Sequence, residues 1–398
     1  MQCKPAGATR MTRSAGADTV PGMDEDIIEL SPAQALARVR AGARLVDVRE
    51  EGERAAGMVE GALGVAGAAL CATPDAWLPQ REQSIGLICA SGRRSREAAR
   101  RLGELGYGEV WSVAGGLARW REEGLPVGEP LESADFLERY SRHLLLPEVG
   151  LVGQRRLQAS RVALLGAGGL GSPVALYLAA AGVGHLTLID DDHVERSNLQ
   201  RQVLHGEADI GRAKVASAAA TLRALNPEVN VEERPLRLRA DNVEALLGGH
   251  DLVVDGADNF VARYLVNDAC ARLGLPMVYG ALERFRGQVA VFWPARHAEG
   301  GCYRCLFPEP PPPEFAPNCS EAGVLGVLPG LIGMLQATEA LKLLLGIGRP
   351  LLGELLRVDA LDMRFSRLGL SRDPACTACG DAPRGDGYED MATVCASD

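Results

Sequence analysis

The stretch RVALLGAGGLG, residues 161–171, decides the fold of the larger part of this chain. Its apolar first half predicts a buried strand, the glycines predict a tight turn, and the Ala- and Leu-rich residues after them predict a helix. Such a turn directs backbone N–H groups and the amino end of the helix toward an anion, so it indicates a phosphate site. The motif glycines that would shape this site are Gly166, Gly168 and Gly171.

The next strand and the segment after it, LTLIDDDHVERSNLQRQ at residues 186–202, add polar and charged groups to this site. Asp190 ends the strand about twenty residues after the turn, where a carboxylate usually binds ribose hydroxyls, and Asp192 follows it. Hydride transfer needs no further cations, whereas departure of pyrophosphate does, because negative charge builds up on the leaving oxygens. The residues expected to return toward the phosphates are Ser197, Asn198, Leu199, Gln200, Arg201 and Lys214.

Lysine usage singles out one of these residues. Among the 42 Lys and Arg residues the only lysines are Lys4, Lys214 and Lys342, so the chain carries its positive charge almost entirely as arginine. A lysine placed where a compact charge can reach a phosphate is therefore interpreted as functional, the alternative being a solvated helix residue. The pattern as a whole favours ATP cleavage over NAD-dependent oxidation.

Length, charge and cysteine content limit the class of protein. The 398 residues suffice for two or three domains, and a net charge of −10 argues against nucleic-acid binding through bulk electrostatics. No apolar run is expected to span a membrane, and residues 1–22 lack the apolar core of a signal peptide. Ten cysteines without a secretion signal favour metal or catalytic roles over disulfides. These features predict a cytoplasmic enzyme with no direct nucleic-acid partner and no membrane contact.

Structure-breaking residues divide the chain into two predicted domains. Residues 1–23 are expected to be disordered, 24–127 to form a small α/β domain, and 128–135 to form a linker. Strands and helices alternate through 136–382, which predicts an α/β domain with a mostly parallel sheet covered on both faces. Residues 383–398 are expected to form a disordered tail.

Cys89 is the candidate nucleophile of the first domain. It ends the buried strand SIGLICA and precedes a predicted helix, whose amino end and nearby arginines would favour its thiolate. The loop from Cys89 to Arg94 can wrap N–H groups around an anion on the sulfur, for phosphoester cleavage or for sulfane transfer. Phosphatases of the Cys-x5-Arg type need arginine six positions after the cysteine, where Ser95 stands here. Arginine comes one residue earlier, at Arg94, so the loop forms a smaller ring, which suits a persulfide sulfur better than a phosphate.

Asp258 is a candidate metal ligand in the second domain. It follows the apolar strand DLVVDGA, at the carboxyl edge where ligands bind in such sheets. A carboxylate there can hold the Mg²⁺ that bridges the phosphates of ATP. Asn259 beside it can contact the same ligand or cap the following helix, and the residues leave both roles open.

Four of the cysteines form two Cys-x-x-Cys pairs, Cys302 with Cys305 and Cys376 with Cys379. Four thiolates suit tetrahedral Zn²⁺, and we expect a closed structural site that clips the C-terminal part to the domain. Redox Cys-x-x-Cys chemistry is the alternative, disfavoured because neither pair is expected to open a helix. A proline-rich loop between the pairs carries Cys319, whose place after a nucleotide site marks it as a second candidate nucleophile.

Two family resemblances rest on these residues. Residues 24–127 resemble a rhodanese domain through Asp47-Val48-Arg49, the Cys89 loop and VAGGLARW at 113–120. Residues 136–382 resemble the adenylating enzymes of the ubiquitin-activating type, specifically the bacterial molybdopterin-synthase and thiazole-biosynthesis adenylyltransferases. The motifs that carry the second resemblance are RYSR, GAGGLG, SNLQRQ, GADN, both Cys-x-x-Cys pairs and NCSEAGVLG.

The resemblances imply a rhodanese-like domain followed by a Rossmann-like adenylation domain, an order opposite to that of the best-known fusion of the two. They imply that ATP and Mg²⁺ adenylate the C-terminal Gly-Gly carboxylate of a small ubiquitin-like sulfur-carrier protein. Gly169 would then lie against the nucleotide, Asp190 would hold its ribose and Asp258 its metal. Arg201 and Lys214 would contact the phosphates.

The resemblances also imply partners and a sulfur-transfer step. Arg142 would reach the active site of the other subunit of a homodimer, and Cys319 matches a loop cysteine that links covalently to the carrier in some members. Cys89 would carry a persulfide, supplied by a cysteine desulfurase or another persulfide donor, and would convert the carrier to a thiocarboxylate. Asp47 and Arg49 would support the Cys89 loop rather than react.

Three other readings stay open at this point. The chain could be an adenylyltransferase with an inactive rhodanese module, an NAD-dependent oxidoreductase, or a zinc-stabilised scaffold without activity. No histidine is placed for hydride transfer, and Lys214, Arg201 and Asp258 together speak against the scaffold. The pathway is open between molybdenum-cofactor synthesis, thiamine synthesis and other sulfur delivery, because all use similar adenylation sites.

Overall fold

The computed structural model describes residues 27–309, 323–383 and 387–388. Among these residues, contacts define two compact units. The first unit holds residues 27–50 and 57–129, and the second holds residues 51–56 and the described residues from 130 onward.

The first unit is built on a five-stranded sheet whose neighbouring strands all run parallel, in the order β1-β5-β4-β2-β3. The strands are β1 (Ile28–Leu30), β2 (Arg44–Asp47), β3 (Leu63–Gly64), β4 (Ile85–Ile88) and β5 (Val110–Val113). The helices are α1 (Pro32–Arg40), α3 (Gly67–Ala72), α4 (Pro74–Trp77), α5 (Arg93–Glu104) and α6 (Gly116–Glu122), whereas α2 (Glu51–Arg54) groups with the second unit. Cys89 follows β4, the central strand, as the sequence predicted.

Helix α1 begins with a reciprocal cap at Ser31. The Ser31 hydroxyl accepts a hydrogen bond from the Gln34 N–H at 3.3 Å, and the Ser31 N–H donates to Gln34 Oε1 at 3.0 Å. This reciprocal cap satisfies two groups at the helix end, and Pro32 occupies the first helical position, where no N–H is needed. Trp111 and Trp120, both fully buried, fill one face of the sheet.

The second unit is built on an eight-stranded sheet in the order β13-β12-β11-β10-β9-β6-β7-β8. Its strands are β6 (Arg161–Leu165), β7 (His185–Ile189), β8 (Asn230–Arg234), β9 (Leu252–Asp255), β10 (Met277–Glu283), β11 (Arg286–Phe292), β12 (Glu354–Asp359) and β13 (Arg364–Gly369). Its helices after α2 are α7 (Ala134–Arg139), α8 (Ser141–Leu144), α9 (Gly150–Ala159), α10 (Gly171–Ala180), α11 (Lys214–Leu225), α12 (Val243–Leu247), α13 (Phe260–Leu273), α14 (Tyr303–Leu306) and α15 (Val327–Leu345).

The prediction of a mostly parallel sheet holds for five strands and misses three. Strands β8, β7, β6, β9 and β10 run parallel, so the ends of β6, β7 and β9 meet at one edge, which we call the carboxyl edge. Strands β11, β12 and β13 continue the sheet in antiparallel pairs. Strand β13 has no buried face to produce an alternating pattern, since all of its residues are exposed.

Helix α15 corrects the expectation that no apolar segment could span a membrane. Among the described residues it is the one helix long and apolar enough to do so, with a mean hydropathy of 1.3 over its best window. Half of that window is buried, and the helix packs against α10, β10 and β11. Its fully buried Gln336 donates a hydrogen bond to the Asp255 carbonyl oxygen at 2.7 Å, so α15 is a core helix of this unit.

Candidate active sites

The glycine loop, residues 166–171, lies at the carboxyl edge between β6 and α10. A side chain at Gly171 would overlap the carbonyl oxygen of Gly166, so the chain can fold back on itself only with glycine there. The Gly166 N–H donates to the Ile189 carbonyl oxygen at 2.9 Å, which ties the loop to the end of β7. The predicted strand, turn and helix are all present, with backbone groups free to meet an anion at the amino end of α10.

Asp190 is pinned to the glycine loop. Its Oδ2 accepts a hydrogen bond from the Ala167 N–H at 2.8 Å, and its Oδ1 accepts one from the Asp192 N–H at 2.9 Å. Burial raises the pKa of Asp190, while Lys214 and these N–H groups lower it and offset part of the rise. The carboxylates of Asp190, Asp191 and Asp192 lie within 4.8 Å of one another, which brings three acidic groups to the end of β7.

Lys214 is the first residue of α11, and its side chain is only 8% exposed. Its Nζ lies 2.8 Å from Asp192 Oδ2, and its N–H donates to the Asp192 carbonyl oxygen at 2.9 Å. The Asp192 side chain is 63% exposed. A ligand can therefore reach the carboxylate that pairs with the buried Lys214 ammonium group. The structure therefore brings Lys214 to the same strand end as Asp190.

The segment SNLQRQ turns back to the glycine loop. A side chain at Gly169 would lie 3.8 Å from Arg201 Cγ, and one at Gly168 would lie 3.4 Å from Gln202 Nε2. The Arg201 guanidinium donates to the Ser197 carbonyl oxygen at 3.1 Å. The other members are the buried Asn198, the half-buried Leu199 and the exposed Ser197 and Gln200.

The remaining predicted residues are less tightly gathered. Asp258 is exposed in the loop after β9, where its Oδ1 accepts a hydrogen bond from Asn259 Nδ2 at 3.3 Å. Asn259 caps α13, because its Oδ1 accepts from the Ala262 N–H at 2.9 Å. Arg142 is exposed on α8, and Cys319 lies outside the described residues.

A buried ion pair that no sequence motif predicted lies beneath the Asp258 loop. Arg263 on α13 donates to Asp255 Oδ2 at 2.9 Å, and its other nitrogen donates to the Ala257 carbonyl oxygen at 2.6 Å. Asp255 Oδ1 also accepts from the Ala257 N–H at 3.0 Å, so the ion pair holds both backbone polar groups of Ala257. The available signal was a charged residue directly ending the apolar run LVVD, which a buried strand tolerates only with a partner.

The buried Cys89 begins the loop between β4 and α5 of the first unit. Its sulfur accepts hydrogen bonds from the Gly92 N–H at 3.2 Å and from the Ser95 hydroxyl at 3.4 Å. Burial alone raises the pKa of the Cys89 thiol, but the Ser95 hydroxyl and the N–H groups of Ser95, Ser91 and Gly92 bring it below the ordinary value. The amino end of the following helix and nearby arginines were predicted to favour the thiolate; the donors at that helix end, Ser95 foremost, account for the lowered pKa, and the arginines do not.

The VAGGLARW motif closes the Cys89 loop from the other side. The Leu117 N–H donates to the Cys89 carbonyl oxygen at 2.8 Å, and the Ala118 N–H donates to that of Ala90 at 3.1 Å. A side chain at Gly116, whose φ is +59°, would overlap the Cys89 carbonyl oxygen. These contacts hold the backbone of the loop in place around the Cys89 sulfur.

Asp47 and Arg49 form a buried pair at the end of β2. Arg49 Nη2 lies 2.6 Å from Asp47 Oδ2 and also donates to the Gly57 carbonyl oxygen at 2.8 Å. Asp47 is fully buried and Arg49 is 4% exposed, so neither side chain is offered to a ligand. Their contacts hold a turn of the chain.

The four cysteines of the Cys-x-x-Cys pairs come together in the second unit, all four sulfurs within 4.8 Å of one another. Cys302 Sγ lies 3.6 Å from Cys376 Sγ, and Cys305 Sγ lies 3.4 Å from Cys379 Sγ. Tetrahedral Zn²⁺ with bonds of about 2.3 Å separates its sulfur ligands by roughly 3.8 Å, so the four thiols fit this ion.

One reason given against redox chemistry at these pairs was wrong. Cys302 directly precedes the one-turn helix α14, so this pair does open a helix. The geometry supplies a better reason, since the sulfurs of each pair contact those of the other pair and all four lie within 4.8 Å of one another. Four converging sulfurs favour a metal centre over two separate dithiols.

Comparison with known proteins assigns both units. The chain matches the ThiF family over residues 140–378 and the rhodanese-like domain over residues 31–123. It is 55% identical over 249 residues to a sulfur carrier protein adenylyltransferase of Thermus thermophilus, a match covering 62% of this chain and 92% of that protein. It is 53% identical over 248 residues to the SAMP-activating enzyme E1 of Haloferax volcanii, covering 62% and 90%.

Two further matches widen this comparison. The chain is 50% identical over 266 residues to the adenylyltransferase and sulfurtransferase MOCS3 of Mus musculus, covering 67% of this chain and 57% of that protein. The crystal structure of E. coli MccB with MccA-N7isoASN superposes with a TM-score of 0.54 at 25% identity, covering 61% of this chain and 75% of that one. The structural match extends the likeness to the fold.

Proposed function

Because the chain belongs to the ThiF family and carries a rhodanese-like domain, we propose that it activates a ubiquitin-like sulfur-carrier protein with ATP and then delivers sulfur to it. The observation that carries this proposal is the convergence of the glycine loop, Asp190 and Lys214 at one edge of the sheet. The relatives named as sulfur-carrier adenylyltransferase and as sulfurtransferase supply the class of substrate.

In the first step a carrier carboxylate oxygen attacks the α-phosphorus of ATP. The bond from that phosphorus to the bridging oxygen breaks, pyrophosphate leaves, and an acyl-adenylate remains. Asp190 would bind the ribose, and the N–H groups of the glycine loop would bind phosphate oxygens. Lys214 would release Asp192 and bind a phosphate instead. Arg201, beside Gly169, would stabilise the negative charge on the departing pyrophosphate.

A bound Mg²⁺ would supply positive charge that offsets part of the charge of the ATP phosphates. Asp258, exposed at the carboxyl edge, is its proposed ligand. The acidic group at the end of β7 offers further carboxylates, of which Asp192 is paired with Lys214. Oxygen donors of this kind suit a hard divalent cation.

In the second step a persulfide on Cys89 acts as the nucleophile. Its terminal sulfur attacks the carbonyl carbon of the acyl-adenylate, or of an acyl link to Cys319, and AMP or the Cys319 thiolate leaves. A second thiol then attacks Cys89 Sγ, which releases the carrier thiocarboxylate and leaves a disulfide on Cys89. The donors around Cys89 would stabilise the negative sulfur in each state.

The proposal extends to partners and location. A cysteine desulfurase or another persulfide donor would load Cys89, and a homodimer would let Arg142 of each subunit reach the site of the other. Both reactions would take place in the cytoplasm, where ATP and reduced thiols are supplied. The carrier belongs to molybdenum-cofactor synthesis, thiamine synthesis or another sulfur pathway, and its identity is the first thing to measure.

The test is ATP–pyrophosphate exchange by the zinc-loaded protein with a panel of carriers ending in Gly-Gly. We expect exchange with one carrier and a loss of about 10²-fold or more in Lys214→Ala, because a phosphate-binding cation is removed. Lys342→Ala is the matched control, since Lys342 pairs with Glu339 on α15. No exchange with any carrier from folded protein would refute adenylation of this substrate class.

A further inference from the structure

His205 is a buried histidine that the steps above do not use. It is 7% exposed and lies between the SNLQRQ segment and α11. Its Nε2 lies 2.9 Å from the carbonyl oxygen of Ala167, the second residue of the glycine loop. Its Nδ1 lies 2.9 Å from Ser217 Oγ on α11.

The contact with Ala167 completes the fixation of one peptide segment. The Ala167 N–H is already bound by Asp190 at 2.8 Å, and the imidazole binds the carbonyl group of the same residue. Both backbone polar groups of Ala167 are therefore held from outside the loop. Since the loop N–H groups must point at phosphate, a residue that fixes the Ala167 carbonyl also fixes the direction of the next N–H.

The contact with Ser217 reaches the second part of the same site. Ser217 lies on the first turns of α11, three residues after Lys214. One ring thus spans the glycine loop and the helix that presents the phosphate-binding lysine. A shift of α11 relative to the loop would break one of its two hydrogen bonds.

The chemistry of these partners fixes the tautomer of the ring. A carbonyl oxygen only accepts, so Nε2 must carry the proton; in the neutral ring Nδ1 can only accept, from a Ser217 hydroxyl that is also within hydrogen-bond reach of Asp209. Burial lowers the pKa of His205, which keeps the ring neutral near pH 7. Lys214 adds to this lowering, whereas the Ala167 carbonyl, Asp209 and Asp190 act in the opposite direction.

We propose that His205 is a positioning residue of the nucleotide site, which holds the glycine loop and α11 in register through an Nε2–H donor to Ala167. The inference rests on the proposed ATP site and adds a residue that touches neither nucleotide nor carrier. This role requires a hydrogen-bond donor at the position of Nε2. Glutamine can place an amide N–H there, whereas asparagine is too short and matches Nδ1 instead.

The experiment measures the dissociation constant of the full-length protein for a non-hydrolysable ATP analogue with Mg²⁺, together with the melting temperature without nucleotide. For His205→Asn we expect binding about tenfold weaker, the loss of one buried hydrogen bond. For His205→Gln we expect binding within about threefold of wild type. A purely structural role would instead weaken both variants alike and in step with melting temperature.

His250→Asn is the matched control. His250 is also buried and also makes two hydrogen bonds, Nε2 with Thr187 Oγ1 at 2.8 Å and Nδ1 with the Leu247 carbonyl oxygen at 3.0 Å. It precedes β9, so it lies toward the edge of the sheet opposite the glycine loop. We expect it to lower the melting temperature without weakening nucleotide binding.

Ser217→Ala keeps the inference testable if His205→Asn does not fold. It removes the partner of Nδ1 and leaves the ring, so binding should weaken by about two- to fivefold. Unchanged binding in Ser217→Ala and in folded His205→Asn would overturn the inference while the ATP site stands. A wild-type protein that binds no ATP analogue would overturn the proposed function and this inference together, so the two failures are distinguishable.

Discussion

Ser95 changes the chemistry expected of Cys89. It occupies the position where a Cys-x5-Arg phosphatase has arginine, and its single hydroxyl proton is shared between the Cys89 sulfur at 3.4 Å and the Gly92 carbonyl oxygen at 3.0 Å. The fully buried Ser112 donates in turn to Ser95 Oγ at 2.9 Å. A hydroxyl can donate one hydrogen bond to an anionic sulfur, but it cannot bind two phosphate oxygens as a guanidinium does. This difference favours sulfane transfer over phosphoester cleavage in this loop.

The donor role of Ser95 predicts a change in thiol reactivity. In Ser95→Ala the pKa of Cys89 should rise, because burial continues to raise it while the Ser95 hydroxyl no longer lowers it. The pH profile of iodoacetamide alkylation should move to higher pH, with a rate at pH 7 about fivefold lower. Ser91→Ala is the control, because Ser91 is exposed and acts through its backbone N–H. Coincident profiles for Ser95→Ala and wild type would rule out the hydroxyl as a donor.

At the scale of elements, the end of β9 and the loop after it carry, within four residues, one aspartate that supports stability and one that is proposed to support catalysis. Asp255 is buried and paired with Arg263, whereas Asp258 is exposed and proposed to serve Mg²⁺. Removing one partner of a buried ion pair leaves the other uncompensated, which costs about 3–5 kcal/mol. Substitution of Asp255 should therefore lower stability, whereas substitution of Asp258 should lower activity.

Asp255→Asn should lower the free energy of unfolding by about 3 kcal/mol, since the Arg263 guanidinium loses its counter-charge. Asp258→Asn should leave stability within about 0.5 kcal/mol and reduce pyrophosphate exchange instead. Urea unfolding and exchange assays on both variants measure the two effects. Equal stability of Asp255→Asn and wild type would mean that the pair does not support the loop.

The elements predictable from sequence are those with a strong local signal. The strand before the glycine loop and the strand before Cys89 were predicted because apolar runs and turn residues mark them locally. The antiparallel strands β11 to β13 were not, because β13 is exposed throughout and its pairing depends on distant residues. The role of His205 was equally out of reach, since only the fold brings it to Ala167.

At the scale of the whole molecule, the cysteine cluster joins segments far apart in the chain. Cys302 directly precedes α14 and Cys305 lies within it, whereas Cys376 and Cys379 follow β13, with 70 residues between Cys305 and Cys376. A bound Zn²⁺ would close this loop, and metal binding to a site of this kind contributes to folding directly. A zinc ion bound here would therefore stabilise the second unit rather than take part in its reaction.

Loss of the metal should lower thermal stability. Cys379→Ser should lose the roughly one zinc per chain expected of a four-sulfur site, and its second unit should melt at a lower temperature. Zinc content by atomic absorption and calorimetric melting measure the two quantities. Cys270→Ala is the control, because Cys270 is a buried thiol of α13 outside the cluster. Full zinc content in Cys379→Ser would remove Cys379 from the ligand set.

Two separate reactive centres in one chain predict complementation between variants. Cys89→Ala should retain pyrophosphate exchange and form no thiocarboxylate, whereas Lys214→Ala should accept a persulfide without activating the carrier. Mixing the two should restore thiocarboxylate, because an acyl-adenylate on one chain can meet the persulfide of another. At about 10 μM protein the mixture should run about 10²-fold slower than wild type, since a linker provides an effective concentration near millimolar.

The concentration dependence of that mixture decides how the activities are joined. Wild-type turnover per chain should not depend on protein concentration, whereas the mixture should accelerate with it, as measured by mass spectrometry of the carrier. Thiocarboxylate formed by Cys89→Ala alone would instead identify the rhodanese-like unit as inactive in this reaction. A mixture that stays inactive at every concentration would require the persulfide and the acyl-adenylate to meet within one chain, and the linker would then be part of the mechanism.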